Sequence, residues 1–524
     1  MSVHTQAPIT LSEAVFLAAE RHPGTPLVAD AEWAGTGKEV LDHAGLARFV
    51  GDFADRLWTA GVRPGTRVAV VKRDHIDVQA LAAAAVRIGA VPALLSGRLD
   101  VRDVLALLDR LDEPVLLTDA YGAGRLAPVR AEVSRLTASA WSVDGTRTAW
   151  IRPLAAGEEH RPHRNPDGAE AIITHSSGTT GLPKLIAQST ASLHAHAVPT
   201  LRVAQRTGPQ KEFSLRCISP THTRASSALL GNLVMGTPLV AVADPGTAHV
   251  RELLLAHRPV SVESHPNLFL LWESLTEDPD RPFAQVRRFV STFDAIHPRT
   301  VRALLNASDQ PDAVYLQGYG QTETGPTTLR VITRADLDGV SGRNVGSPIP
   351  GVSEVRVTGE DGEPVPPGTA GTIEVRTEGL SLGYVGGAAP PRDGWWSMQD
   401  VGRLLENGEL ELLDRVVDRA DGVASLLEAE DALLEALPPL CEVVLVKPEG
   451  DTLAAVVCVR DGSPLDREAW DRAAGRLGLA GVPVHEMRWE DIPFTGSWKV
   501  RRRLLARSLA GRPAAAPAGL PGKG

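Results

Sequence analysis

The 524-residue sequence predicts an α/β protein. We expect a large N-terminal domain of two parallel-sheet α/β subdomains plus a β-rich subdomain, followed by a small mobile α+β C-terminal domain. Three observations predict it. Apolar strand patterns alternate with amphipathic helical ones as far as about residue 335, which is the signature of a largely parallel sheet. From about 345 to 413 the pattern changes to short strands separated by turns. From about 416 onward two helical patterns return together with two strands.

The elements follow in order. Leu11 to Arg21 reads as a helix, with Leu11, Ala14, Val15 and Ala18 on one face. Leu41 to Ala60 repeats that periodicity, and Gly61 suits a C-cap. Arg67-Val-Ala-Val-Val71 reads as a buried strand, Asp77 to Gly89 as the helix after it, and Val115-Leu-Leu-Thr118 as another strand. Residues 155–168 are rich in Gly, Glu, His, Arg and Pro and read as a linker or surface loop. A second strand-and-helix run extends from 171 to about 335. In the β-rich part, Glu354-Val-Arg-Val357, Gly371-Thr-Ile-Glu-Val-Arg376 and Leu410-Glu-Leu-Leu413 are strands. Near the C-terminus the strands are Glu442-Val-Val-Leu-Val446 and Leu453-Ala-Ala-Val-Val-Cys458. We divide the chain into 1–414, 415–510 and an Ala-, Pro- and Gly-rich tail at 511–524 that is expected to be disordered.

Composition narrows the function classes. Apolar residues are 43% and charged residues 23%, which argues against disorder and a multi-span membrane protein. With 54 basic against 64 acidic residues, nothing invites a nucleic acid. The apolar stretch around Leu81 to Leu95 is interrupted by Arg87 and is too short to span a bilayer. Cys217, Cys441 and Cys458 have no CxxC spacing, so neither a disulfide framework nor a zinc site is expected. The first residues lack the basic stretch and apolar core of a leader, and a cytoplasmic location is expected. Only seven basic residues are lysine and 47 are arginine. A lysine in a chemically meaningful place therefore stands out.

Two strings carry chemistry. The first is His175-Ser-Ser-Gly-Thr-Thr-Gly-Leu-Pro-Lys184, after the apolar run Ala171-Ile-Ile173. Glycines let backbone N–H groups approach phosphate oxygens, and the hydroxyls of Ser176, Ser177, Thr179 and Thr180 add donors. Lys184 adds a point charge. The string lacks the GxxxxGK[ST] order of a Walker A loop. The second is Gln317-Gly-Tyr-Gly-Gln-Thr-Glu-Thr-Gly325, where glycines mark a tight loop, Thr322 offers a hydroxyl and Glu323 a carboxylate for a phosphate-bound metal.

Together these strings resemble the adenylate-forming superfamily: acyl- and aryl-CoA synthetases, luciferases and the adenylation domains of nonribosomal peptide synthetases. Asn344-Val-Gly-Ser-Pro-Ile-Pro-Gly351, Gly383-Tyr384, Asp400, Gly402-Arg403, Arg415 and Thr495-Gly-Ser-Trp-Lys-Val-Arg501 fall in the family's order, so the resemblance spans roughly residues 10–508. It implies an AMP-forming ligase that uses ATP and Mg²⁺ to adenylate a small acid and passes it to an acceptor: CoA, a carrier-protein thiol or an amine. The loop with Ser176, Ser177, Gly178, Thr179, Thr180, Gly181 and Lys184 would hold the β- and γ-phosphates. Thr322 would contact the α-phosphate, and Glu323 would bind the metal. Adenine would pack near Gln317, Gly318 and Tyr319, with Asp400 and Arg415 at ribose and phosphate. Lys499 would reach the attacking oxyanion and the α-phosphate, where its charge offsets the meeting of two anions.

The sequence departs from the family in three places. Where a Ser-Gly-Gly-Ala-Pro-like strand end is usual, it has Ser291-Thr-Phe-Asp-Ala-Ile296. Thr292 and Phe293, with Gly320 opposite, imply a small or reshaped pocket. In Pro220-Thr-His-Thr-Arg-Ala-Ser226, His222 matches a pocket histidine one residue early. Arg224 is unusual and suits a second carboxylate, another small anion or a structural acid. Around the hinge, Val417 replaces an aspartate, the Gly-Gly pair before Glu428 is missing and the segment is shortened. That erosion falls on the second, acceptor-transfer step and leaves CoA an open acceptor. Trp498 stands where glycine is common. Three functions remain: adenylation of a small carboxylic acid, adenylation of nitrite for attack by an arylamine as in the family's diazotase branch, and a nucleotide-binding homologue without turnover.

Overall fold

The computed structural model describes residues 7–176, 182–207, 211–292, 296–387, 390–391, 394–415, 425–449, 452–496 and 498–510, without the side chains of 203–207, 414, 415 and 449. Ser177, Gly178, Thr179, Thr180, Gly181 and Phe293, the side chain of Arg415, the hinge stretch 416–424 and the tail from 511 therefore lie outside the described residues.

The architecture is α/β, as the alternation predicts. In the first, eight-stranded sheet, Arg67–Lys72 runs parallel to Val91–Ser96 and Val115–Thr118. Val91–Ser96 is buried at every position, as a strand covered on both faces must be. The apolar stretch 81–95 thus resolves into the end of helix Asp77–Arg87 and this strand. Local chemistry sets the helix starts. Thr10 and Glu13 form a reciprocal capping box on Leu11–Arg21. Asp42 accepts from Gly45 N at 2.6 Å, so the second helix begins at His43 rather than Leu41, and Val40–Asp42 becomes a short strand.

The second sheet has thirteen strands. Its parallel core is Leu239–Ala241, Ser214–Cys217, Ser261–Ser264, Arg288–Ser291 and Val314–Gln321. An aromatic cluster of Phe269, Trp272, Phe283, Phe289 and Tyr315 fills the space beneath it. The β-rich part expected as a separate subdomain is hydrogen-bonded into this sheet. Val314–Gln321 turns back into Gly325–Ile332, which pairs with Asn344–Pro348, which pairs with Leu410–Arg415. An antiparallel edge added to a parallel core needs only a tight turn, and Gln321 to Gly325 supplies it.

Near the C-terminus, Leu440–Glu449, Thr452–Val459 and Val484–Glu486 form a three-stranded sheet. Helices Leu426–Ala436, Arg467–Arg476 and Arg502–Leu509 pack on it. His297 Nδ1 meets Asp431 at 2.5 Å, Arg299 reaches the Leu434 and Leu440 carbonyls, and Asn267 donates to Trp498 O at 2.8 Å. These contacts hold the C-terminal sheet over the carboxyl ends of the parallel strands, where ligands of open α/β sheets bind.

Candidate functional site

The phosphate-type loop hangs between two strands. Glu170–His175 and Leu185–Ser189 are antiparallel, and His175 is opposite Leu185. The neck of the loop is closed by Ser176 N donating to Lys184 O at 2.9 Å and Lys184 N donating to Ser176 Oγ at 3.0 Å. The Lys184 ammonium lies 4.5 Å from the centre of the Tyr384 ring. On the far side of that ring the Tyr384 hydroxyl donates to Glu323 Oε1 at 2.9 Å. Burial, then the Glu323 charge, pushes the Tyr384 phenol up, so it stays a donor. Lys184 and Glu323, 139 positions apart in the chain, are thus brought to one tyrosine side chain.

The second motif ends the strand Val314–Gln321. A Cβ on Gly320 would lie 1.9 Å from Gly325 O, so the hairpin closes only around glycine here. Tyr319 OH donates to Asp400 Oδ2 at 2.7 Å, which joins two residues expected at the nucleoside. Gln317 donates to Gly342 O at 3.2 Å, while its Oε1 is buried with no hydrogen-bond partner among the described residues. Asp400 is paired in register with Arg415 across two antiparallel strands.

His222 is the N-cap of helix Thr223–Met235. Its Nδ1 accepts from Arg224 N at 3.0 Å, and its Nε2 meets Thr322 Oγ1 at 3.2 Å. Burial foremost, then His265 and Lys499, holds the imidazole well below its ordinary pKa. A neutral ring that accepts at Nδ1 carries its proton on Nε2. It therefore donates to Thr322 and leaves that hydroxyl's own proton for a ligand. His265 is pushed down to about 3 by burial and by the Lys499 and Arg98 charges. His175 is lowered by burial.

Lys499 reaches these histidines from a turn in the C-terminal part. Thr495 N donates to Lys499 O at 2.8 Å, Lys499 N donates to Thr495 Oγ1 at 3.1 Å, and Phe494 bridges Val500. The turn abuts the first sheet: a Cβ on Gly496 would sit 3.1 Å from Ser96 Oγ. Trp498 adopts φ 55°, the left-handed region that favours glycine. That accounts for the glycine usual at this position. Here the strain is offset by packing, because Arg98 lies 4.8 Å over the Trp498 ring and Phe494 is 5.6 Å from it.

The helix that His222 caps sends Arg224 into a cavity of about 130 Å³. Arg224 and Thr292 line it, as the sequence suggested; Gly318, expected at adenine, lines it too, and His222, expected in the pocket, is not among its lining residues. Gly320 is instead packed against the hairpin backbone. Arg224 Nε donates to Glu263 at 2.6 Å and its Nη1 to Thr200 at 3.1 Å. Sequence reasoning missed Glu263, Arg216 and Arg288. Charged residues inside otherwise buried parallel strands were the available signal. It also left Tyr384 without a role.

Fold and site define an α/β ligase that activates an acid with a nucleotide. Residues 15–385 match the model of the AMP-binding enzyme family, and the chain belongs to that family. It is 39% identical over 495 residues to the 3-amino-2-hydroxy-4-methoxybenzoate diazotase of Streptomyces cremeus, covering 89% of each chain. It is 28% identical over 528 residues to the 3-aminoavenalumate diazotase of a Streptomyces species, covering 91% of this chain and 90% of that one. Its fold is similar to an anthranilate CoA ligase in complex with anthranoyl-AMP, with TM-score 0.80 and 16% identity over 97% of this chain and 99% of that one. The protein is thus an AMP-forming, adenylating ligase. Among the described residues, no helix is long and apolar enough to cross a membrane.

Proposed function

We propose that this ligase adenylates nitrite and delivers it to an arylamine to form a diazonium ion. The observation that carries this reading is the 39% identity, spread over 89% of both chains, to a protein described as a diazotase of an aminobenzoate. The small cavity lined by Arg224, Thr292 and Gly318 supports it, because nitrite needs little room and one aromatic ring would fill the rest. A nitrite oxygen attacks the α-phosphorus of ATP and pyrophosphate leaves. The amine nitrogen then bonds to the nitroso nitrogen and the bond to AMP breaks. Loss of a proton, then of hydroxide, leaves the diazonium ion.

In this reading the 415–510 part is a lid that brings Lys499 to the reacting oxygens, and the loop 176–184 holds phosphates. Thr322, freed as a donor by neutral His222, binds the α-phosphate. Lys499 offsets the charge of the incoming anion. Tyr319 and Asp400 lie at the ribose, and Gln317 offers its unpaired Oε1 to the adenine amino group. The donor set fits a magnesium ion. No cluster of three potential ligands occurs among the described residues, and a lone Glu323 carboxylate suits an ion held mainly by phosphate oxygens. Bound there, Mg²⁺ would polarise the phosphoryl group under attack.

The test measures AMP and pyrophosphate release from ATP and Mg²⁺. One arm supplies nitrite with an arylamine. The other supplies benzoates with CoA, a carrier-protein thiol or an amine. Release that requires nitrite supports the proposal. Release that requires a carboxylic acid and a thiol, with nitrite inert, overturns it in favour of acyl activation.

A further inference from the structure

In the cavity entered by Arg224, two buried guanidinium groups share a single carboxylate. The cavity floor is built by strand register. Arg216, Glu263, Val290 and Leu316 are opposite one another across four neighbouring parallel strands, and the next row begins Ser214, Ser261, Arg288. Side chains alternate along a strand, so residues two apart share a face. Arg216, Glu263 and Arg288 therefore look into the same space, and Arg224 enters it from the helix that starts at His222.

Two of the guanidinium groups that line this space, those of Arg216 and Arg224, are answered by one and the same carboxylate. Glu263 is shared: its Oε2 takes Arg216 Nε at 3.1 Å and its Oε1 takes Arg224 Nε at 2.6 Å. All three side chains are deeply buried, at 9%, 6% and 13% exposure for Arg216, Glu263 and Arg224. A buried one-to-one pair is complete, whereas a second buried guanidinium on the same carboxylate leaves a net positive charge in a poorly solvated place. Hydrogen bonding is incomplete in the same way. Arg216 Nη2 donates to Asn232 at 2.8 Å, but its Nη1 is buried with no partner among the described residues. Thr292 Oγ1, also facing the cavity, is buried with no partner among the described residues. The remaining lining is largely apolar. At about 130 Å³ the space approaches the roughly 150 Å³ cavity known to hold one benzene ring.

We infer that the cavity binds a single aromatic ring through a carboxylate substituent, held by Arg216 and Arg224 one row below Thr292 and Gly318. The inference rests on the arylamine reading above and names the substrate class: the amine is an amino-aromatic acid, with its amine towards Thr292 and Gly318 and its carboxylate at the arginines. A planar fork matches a carboxylate and discriminates against a neutral amide, because the charge of the buried guanidinium is then left unanswered.

The experiment has two arms and uses the full chain. The first measures equilibrium binding of 3-aminobenzoate and of its neutral counterpart 3-aminobenzamide, without ATP or nitrite, in wild type and in Arg224→Gln. Wild type should prefer the carboxylate by about tenfold or more, and the preference should shrink towards one in the variant. The second arm measures diazonium formation from the same two amines with ATP, Mg²⁺ and nitrite, trapped as an azo dye. Here the same preference should appear in kcat/KM.

Equal binding and equal turnover of acid and amide by wild type overturn the inference whether or not Arg224→Gln folds. A preference for the acid with no nitrite-dependent turnover supports the carboxylate site and overturns the nitrite reading alone. A third substrate, benzene-1,3-dicarboxylate without nitrite, separates the sources of the bound carboxylate. AMP release with this diacid and not with nitrite would assign the arginines to a diacid and overturn the arylamine assignment.

Discussion

Replacing Lys499 with methionine keeps the length of the side chain and removes its charge. The ammonium acts on both His222 and His265, which places it among the groups around Thr322. It is half-buried, so its surroundings lie between bulk water and dry protein. Two unit charges about 4 Å apart attract by ~4 kcal/mol at an effective dielectric of about 20. A preorganised donor aimed at a developing oxyanion contributes ~2.7–4 kcal/mol by mutagenesis. Both figures correspond to a fall of roughly 10²–10³ in the adenylation rate. The assay is pyrophosphate release at saturating ATP, Mg²⁺ and nitrite, with ATP binding measured by calorimetry to show that the variant is folded. Proton NMR gives an independent readout: His265, held at about 3 partly by Lys499, should titrate higher in the variant. A fall below about fivefold, with His265 unmoved, would refute the placement of Lys499 at the reacting oxygens.

Two further outcomes follow from packing and titration. Gly320→Ala sets a Cβ 1.9 Å from the Gly325 carbonyl oxygen, a backbone atom that cannot turn aside, and should destabilise the chain by about 2–4 kcal/mol. Gly318→Ala meets the Thr292 Cγ2 side-chain methyl at 3.1 Å and the Ser291 carbonyl oxygen only at 4.0 Å and should melt near wild type; similar melting of the two variants would contradict the hairpin geometry. Glu442, buried under the C-terminal sheet, is pushed up to about 7, by burial first and by Glu430 against the opposing charges of His297 and Arg502. Its folded pKa lies above its unfolded value near 4.5, so its contribution is present below about 4.5 and is lost as pH rises through about 7. The loss is about 3 kcal/mol, and Glu442→Gln should flatten the decline in denaturation midpoint between pH 5 and 8. A variant that declines as steeply as wild type would show that Glu442 does not carry it.

The sequence disclosed the fold where the periodicity was strong. Leu11–Arg21 and Val115–Thr118 stand at their expected bounds, because a capping box and a fully buried strand leave little choice. The continuity of the β-rich part with the second sheet was hidden, because strand partners lie far apart in sequence: Asn344–Pro348 pairs with Leu410–Arg415. Glycines and hydroxyls at fixed spacing made 175–184 a candidate phosphate loop in the sequence, and its residues 177–181 lie outside the described residues. The arginine wall was half legible. Arg224 stood out beside His222, but Glu263 and Arg216 become neighbours only through the register of two strands 47 positions apart. Trp498 was ambiguous for another reason: only the backbone angle reveals that a left-handed site is occupied by a packing residue.

The charge pattern also bears on how a diazotase reaction would end. An amino-aromatic acid enters as an anion, and the arginines favour it for that reason. Its amine must be unprotonated to attack, and the neutral imidazole of His222 has no proton to spare for it beyond the one given to Thr322. After reaction the same molecule carries a cationic diazonium group, and its net charge has risen by one. The groups that face its carboxylate are the guanidinium groups of Arg216 and Arg224, which share one carboxylate, while Lys499 lies near His222. Attraction for the substrate thus becomes near-neutrality towards the product, with local repulsion at the diazonium end. A cavity that bound its substrate through excess positive charge would release the product because the chemistry itself would cancel the charge that held the substrate.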